Sequence, residues 1–140
     1  HVTCEVKEDF NEKTGVKTNV NVKNTGDIDA FIRVKLVTYR TNAEGQHIGG
    51  VAEVPEFVPG DGWVKYGDYY YYTKPVAPNE KPESDLISRI QLESVYTDAD
   101  GGYQAMDVMA EAIQSEPAEA VGEAWVVSIS QGSVTAYSGT

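Results

Sequence analysis

Residues 16–39 read Val-Lys-Thr-Asn-Val-Asn-Val-Lys-Asn-Thr-Gly-Asp-Ile-Asp-Ala-Phe-Ile-Arg-Val-Lys-Leu-Val-Thr-Tyr, and the alternation within them sets the architecture of the chain. Val16, Thr18, Val20 and Val22 fall on one side of an extended backbone, with Lys17, Asn19, Asn21 and Lys23 on the other. That is the period-2 pattern of a half-buried strand. Asn24-Thr25-Gly26-Asp27 supplies turn chemistry, since Asn and Asp bond their own backbone and Gly tolerates positive φ. Alternation then resumes, with Ile28, Ala30, Ile32, Val34 and Leu36 set against Asp29, Phe31, Arg33, Lys35 and Val37. A strand, a turn and a second strand, with β-branched residues throughout, predict the central pair of an all-β, antiparallel β-sandwich, jelly-roll or immunoglobulin-like.

Upstream, Val2, Cys4 and Val6 alternate with Thr3, Glu5 and Lys7, so Val2 to Phe10 reads as a first, edge strand. The polar turn Asn11-Glu12-Lys13-Thr14-Gly15 sets it apart from the body and leaves it free to pair elsewhere. Cys4 is the only cysteine, so no internal disulfide forms; it reads as a small apolar residue, with a reactive or intermolecular thiol as the alternative.

Downstream, residues 40–50 lack periodicity and read as a loop or an irregular hairpin end, and Pro55, Pro59, Gly60 and Gly62 keep the chain irregular up to Trp63. Gly62 to Lys74 reads as one aromatic strand, in which Tyr69 and Tyr71 share one face and Tyr70 and Tyr72 the other. Two roles fit those side chains. They fill the core and cover the sheet, or, with Trp63, they form an exposed platform that stacks on a sugar or a partner. Residues 75–82 carry three prolines and read as a loop. Leu86 to Tyr96 reads as a strand, residues 98–102 as a turn, and Tyr103 to Gln114 as a strand whose apolar register is Met106, Val108, Ala110 and Ala112. Ser115, Pro117 and the acidic residues after them predict one short helix ending near Trp125. Residues 126–140 read as a last strand or a frayed tail of one domain spanning 1–140.

Eleven basic against twenty-two acidic side chains give a net charge of −11, which repels a phosphate backbone, so nucleic acid is not an expected partner. No apolar run is long enough to insert in a membrane, and no charged-then-apolar leader opens the chain, as expected of one already trimmed. Catalytic signals are sparse. The two histidines, His1 and His47, make no His-Glu-x-x-His helix, and there is no CxxC pair or Gly-x-Ser-x-Gly elbow; no cofactor is expected. Asp98-Ala99-Asp100-Gly101 resembles the opening of a calcium loop, but Met109 stands where the closing bidentate glutamate belongs. Asp98 and Asp100 are the metal candidates, against a plain hairpin turn.

Three blocks in order resemble the TasA/camelysin-like exported proteins of Gram-positive bacteria, which carry SipW-type signal peptides and occur in biofilm matrix. They are residues 22–34, then Gly62-Trp63 ahead of Tyr69–Tyr72 and Lys74-Pro75, then residues 110–114 with Ala124-Trp125 after them. The resemblance implies secretion, a sandwich fold and a non-catalytic structural role at the cell surface or in matrix, with copies of itself or other matrix proteins as partners. It also brings a peptidase reading, because some members have been classed as metallopeptidases; no zinc-ligand set is recognisable here, so no catalytic residue transfers. The alternative is an extracellular ligand- or glycan-binding module using Trp63 and Tyr69–Tyr72.

Overall fold

The computed structural model describes residues 1–49 and 53–137. Its strands are β1 (Cys4–Asn11), β2 (Val16–Asn24), β3 (Ala30–Thr41), β4 (His47–Ile48), β5 (Trp63–Tyr66), β6 (Tyr69–Tyr72), β7 (Ile87–Gln91), β8 (Gln104–Gln114), β9 (Val127–Ser130) and β10 (Ser133–Tyr137), with one helix, α1 (Ala118–Trp125), between β8 and β9. All strand pairing is antiparallel. The first sheet runs β1-β2-β7. In the second, β3 is central: β8 pairs with one side along its full length, while β6 and β4 take the other, with β5 beyond β6. The fold is thus the expected all-β sandwich with a short helix near the C-terminus.

Two apolar layers hold it together. Val20 and Val22 of β2 and Ile87 and Ile90 of β7 pack against Ile32 and Val34 of β3, Trp63 and Tyr72, which is the core between the sheets. On the far side of the second sheet, Phe31 and Tyr71 pack against Val121 and Trp125 of α1 and Val127 and Val134 of the β9–β10 hairpin. The second sheet is therefore covered on both faces. This explains why Phe31, alternating with the apolar register of β3, is also aromatic and buried.

Several expectations are corrected. β2 and β3 are not partners: residues 25–29 carry the chain from one sheet to the other, and buried Asn24 ties that crossing down. Its Nδ2 donates to Ile28 O at 2.9 Å and Val76 O at 2.8 Å, and its Oδ1 accepts from Gly26 N at 2.9 Å. Nor is the alternation of β2 unbroken. Asn19 adopts φ +55 and forms a bulge, so Lys7 opposes Asn21 while Asp9 opposes Thr18, and Glu8 faces two residues. An extra residue switches faces, which turns Lys17 inward beside Ile90 instead of out to solvent.

The aromatic stretch is a hairpin rather than one strand. Gly67, at φ +62, supplies the left-handed residue that a two-residue loop requires, and Tyr66 pairs with Tyr69 across it. Likewise 127–137 is a hairpin and not a single strand or tail, because Gln131 (φ +52) and Gly132 (φ +77) make a tight turn with both central residues left-handed. Residues 40–48 do form a hairpin end, as β4 folds back on Arg40 and Thr41. Gly50 and residues 138–140 lie outside the described residues. Finally, β1 does not stand apart from the body. It pairs with β2 from Cys4 to Asn11, and Cys4 packs against the core between the sheets.

Candidate functional site: two neighbouring sheet edges

The five aromatic residues singled out in the sequence do not make a platform. Trp63 is 5% exposed and donates its indole Nε1 to Ser84 O at 2.9 Å, with Tyr72 against it at 5.3 Å between ring centroids. Tyr71, 1% exposed, lies in the opposite layer with its ring edge to Trp125. Tyr70 is half-buried against Phe57, and burial pushes its phenol above the ordinary value. Tyr69 is half-buried over Arg33, whose guanidinium carbon stands 3.9 Å from the Tyr69 centroid and 4.7 Å from that of Trp125. Alternation across β6 thus splits the tyrosines between two cores, Tyr70 and Tyr72 on one side and Tyr69 and Tyr71 on the other, so the four share no single face. Burial opposes the Arg33 charge, but hydrogen bonds to Glu111 (2.8 Å) and Tyr71 (3.4 Å) outweigh it and hold its pKa above the ordinary value.

Asp98 is occupied. Both its carboxylate oxygens accept from the Arg40 guanidinium, which stacks 3.8 Å from the Tyr96 ring centroid. Asp98 Oδ1 also accepts from the backbone N–H of Asp100 and Gly101. The Arg40 hydrogen bonds hold the carboxyl down to about 2. This is turn chemistry, and Asp100 is exposed beside it. Among the described residues, no three His, Cys, Asp or Glu side chains gather in a way that could hold a metal ion.

What the fold does build is an open seam. Among the described residues β1 pairs with β2 alone and β8 with β3 alone, so each is the edge of its sheet, and the two edges run near one another. Between them lies a groove lined by Val6, Glu8 and residues 106–109. Val6 and Val108 are half-buried there, and Met109 is 55% exposed. Lys17 bolts the seam from within. Its Nζ donates to Glu8 Oε1 of β1 and to the Met106 carbonyl of β8, both at 3.0 Å. A buried ammonium needs such partners, and these two tie the sheets together at their rims. Cys4, on β1, has its thiol pushed up by burial and secondarily by the Glu111 carboxylate, which keeps it a poor nucleophile.

Sequence reasoning missed Lys17, Met106 and Met109. The signals were there: Asn19 is a residue type that tolerates the left-handed bulge, and Met109 stands apolar between Asp107 and Glu111 in an otherwise charged register.

Fold and site together define an acidic β-sandwich in which two long edge strands, β1 and β8, run side by side. Compared with protein-family models, curated proteins and solved structures, the chain has no match. No helix among the described residues is long and apolar enough to cross a membrane.

Proposed function

We propose that this chain is a secreted, non-catalytic structural subunit of a cell surface or biofilm matrix, which assembles by adding a strand of one copy to the sheet edge of another. The observation that supports it is the 11-residue β8, whose outer main chain pairs with no other described strand and is engaged only near its start, where Gln104 N donates to Glu93 O and Met106 O accepts from Lys17. Such an edge offers a row of N–H and C=O groups that main-chain pairing satisfies without special side chains. β1, 8 residues long, is a second such edge next to it. The likeness of residues 22–34, Gly62-Trp63 with Tyr69–Tyr72 and Lys74-Pro75, and residues 110–114 with Ala124-Trp125 to TasA/camelysin-like exported proteins agrees with this reading.

Charge sets the conditions. A net charge of −11 makes copies repel one another at neutral pH, and Asp107 and Glu111 add to that along β8 itself. Acidification towards the isoelectric point of about 4.5 relieves the repulsion, so assembly strengthens as pH falls from 7 towards 5.

The test is Met109→Lys. Natural edges use lysine to block pairing, and Met109 is exposed, so the variant folds with Tm within about 2 °C of the original. Light scattering and negative-stain microscopy at pH 5 should show concentration-dependent assembly of the original chain and its loss in the variant. That loss would run against net charge, since the added lysine reduces self-repulsion. Equal assembly of both chains, or a strict monomer throughout, would sink the proposal.

A further inference from the structure

A second site lies next to the bolted part of the seam, where the C-terminal end of β1 and the β1–β2 turn meet residues 93–94 and the start of β8. Gly15 closes the β1–β2 turn at φ +72, and its carbonyl accepts from Leu92 N at 2.9 Å. A Cβ at this position would come within 2.6 Å of Leu92 O, so glycine is what lets the turn press against residues 92–94. On that side Gln104, itself buried, donates through Nε2 to Glu53 O at 2.8 Å and accepts from Glu93 N at 3.1 Å, which fixes the backbone of Glu93. The result is a hollow of about 290 Å³, lined by Phe10 and Tyr103, Glu12 and Glu93, among others. Its volume is small, suited to a head group rather than a drug-sized molecule.

The two aromatic residues are 43% and 41% exposed and so accessible to a ligand. The carboxylates of Glu12 and Glu93 have no hydrogen-bond or ion-pair partner among the described residues, whereas Glu8, Asp98 and Glu111 each hold a cation. Two aromatic side chains and two carboxylates gathered in a concave site supply the chemistry that recognises an organic cation. Anions are repelled there, and a wholly apolar ligand would strand the carboxylates. Phe10 already serves a cation within the fold, with Lys17 Nζ 5.5 Å from its ring centroid.

We propose that this hollow binds an alkylammonium group, either a small quaternary amine or the side chain of a lysine presented by another chain. The site takes Phe10 from β1 and Gln104 from β8, at the ends of the strand-addition edges, but its test does not depend on assembly. The intact chain, kept monomeric at neutral pH and low concentration, is titrated by NMR with tetramethylammonium, with Nα-acetyl-lysine methylamide, and with neutral neopentyl alcohol. Saturable shifts are expected for Phe10, Gly15, Ser94 and Tyr103 with at least one of the cations. The double variant Glu12→Gln/Glu93→Gln should bind about tenfold more weakly, and Tyr103→Leu should lose a similar factor. The more tightly bound probe identifies the source, free amine or lysine side chain. Absence of saturable shifts with both cations, equal binding of the alcohol, or undiminished affinity in the double glutamine variant would each overturn the assignment.

Discussion

Asn24→Asp should destabilise the protein by about 4 kcal/mol, close to the loss of a typical domain's whole margin. The side chain is fully buried and makes three hydrogen bonds, two of them donated from Nδ2 to the carbonyls of Ile28 and Val76. A carboxylate cannot donate them. It would place its own charge against two carbonyl oxygens, and the backbone around it is engaged as well: Asn24 N donates to Glu80 O and Asn24 O accepts from Asn79 N. The side chain that crosses between the sheets thus also holds the 76–80 loop. A neutral acid restores one donor, so the buried carboxyl favours its protonated form in the folded state. The deficit is then smallest at acid pH and deepens as pH rises above the ordinary carboxylate range. Asn24→Ala, with no charge to bury, should cost about 3 kcal/mol with no such pH dependence. Urea melts at pH 4 and pH 7 measure both effects. A loss below about 1 kcal/mol for the aspartate would mean that the crossing does not need this side chain.

Trp125→Ala is expected to cost about 3–5 kcal/mol, and to do so on one side of the molecule. Trp125 is buried at the end of α1, edge-on to Tyr71 at 5.9 Å and beneath the Arg33 guanidinium at 4.7 Å. Its truncation opens a cavity under the helix and removes one of the two rings that sandwich Arg33. Because α1 also relies on Val121, with Val127 just beyond it, the helix and the β9–β10 hairpin should loosen together. The core between the sheets does not include Trp125 and keeps its packing. Amide exchange should then quicken in residues 118–137 while β2 and β7 keep their protection, and the exposed layer around Phe31 and Tyr71 should bind a hydrophobic dye. Uniform loss of protection across both sheets would show instead that the two layers form one cooperative unit.

These two positions mark how much of the fold could be read in advance. The apolar register from Ala30 to Leu36, the same-face pairs of Tyr69 with Tyr71 and Tyr70 with Tyr72, and the register of Met106, Val108, Ala110 and Ala112 were all legible, because strand alternation is local geometry. What covers each face is not local. The sequence puts Tyr71 and Tyr72 on opposite faces, but only the return of α1 and the β9–β10 hairpin buries Tyr71. The same holds for Asn24, which looks like an ordinary turn residue until Val76, more than fifty residues on, brings its carbonyl alongside. Local exceptions hid other elements. Asn19 in the left-handed region turned Lys17 from a solvent-facing lysine into the bolt between two sheets. Gly67 and Gln131-Gly132 are short turn signals within stretches that otherwise read as continuous. The candidate edges were half legible. β1 was read as an edge from its position and polarity, whereas β8 became one only because β3 is flanked on its other side by β6 and β4.

Strand addition makes a claim about particular main-chain groups, and amide hydrogen exchange reads those groups directly. The chain is compared as monomer at pH 7 and as assembly at pH 5, after correcting for the intrinsic effect of pH on exchange. On assembly, new protection is expected at the alternate amides of β8 beyond Gln104 that are not bonded to β3, or along the outer side of β1, with β2 and β3 unchanged. Assembly that leaves both edges as exchangeable as in the monomer would contradict it, and would move the contact to the side-chain surfaces instead.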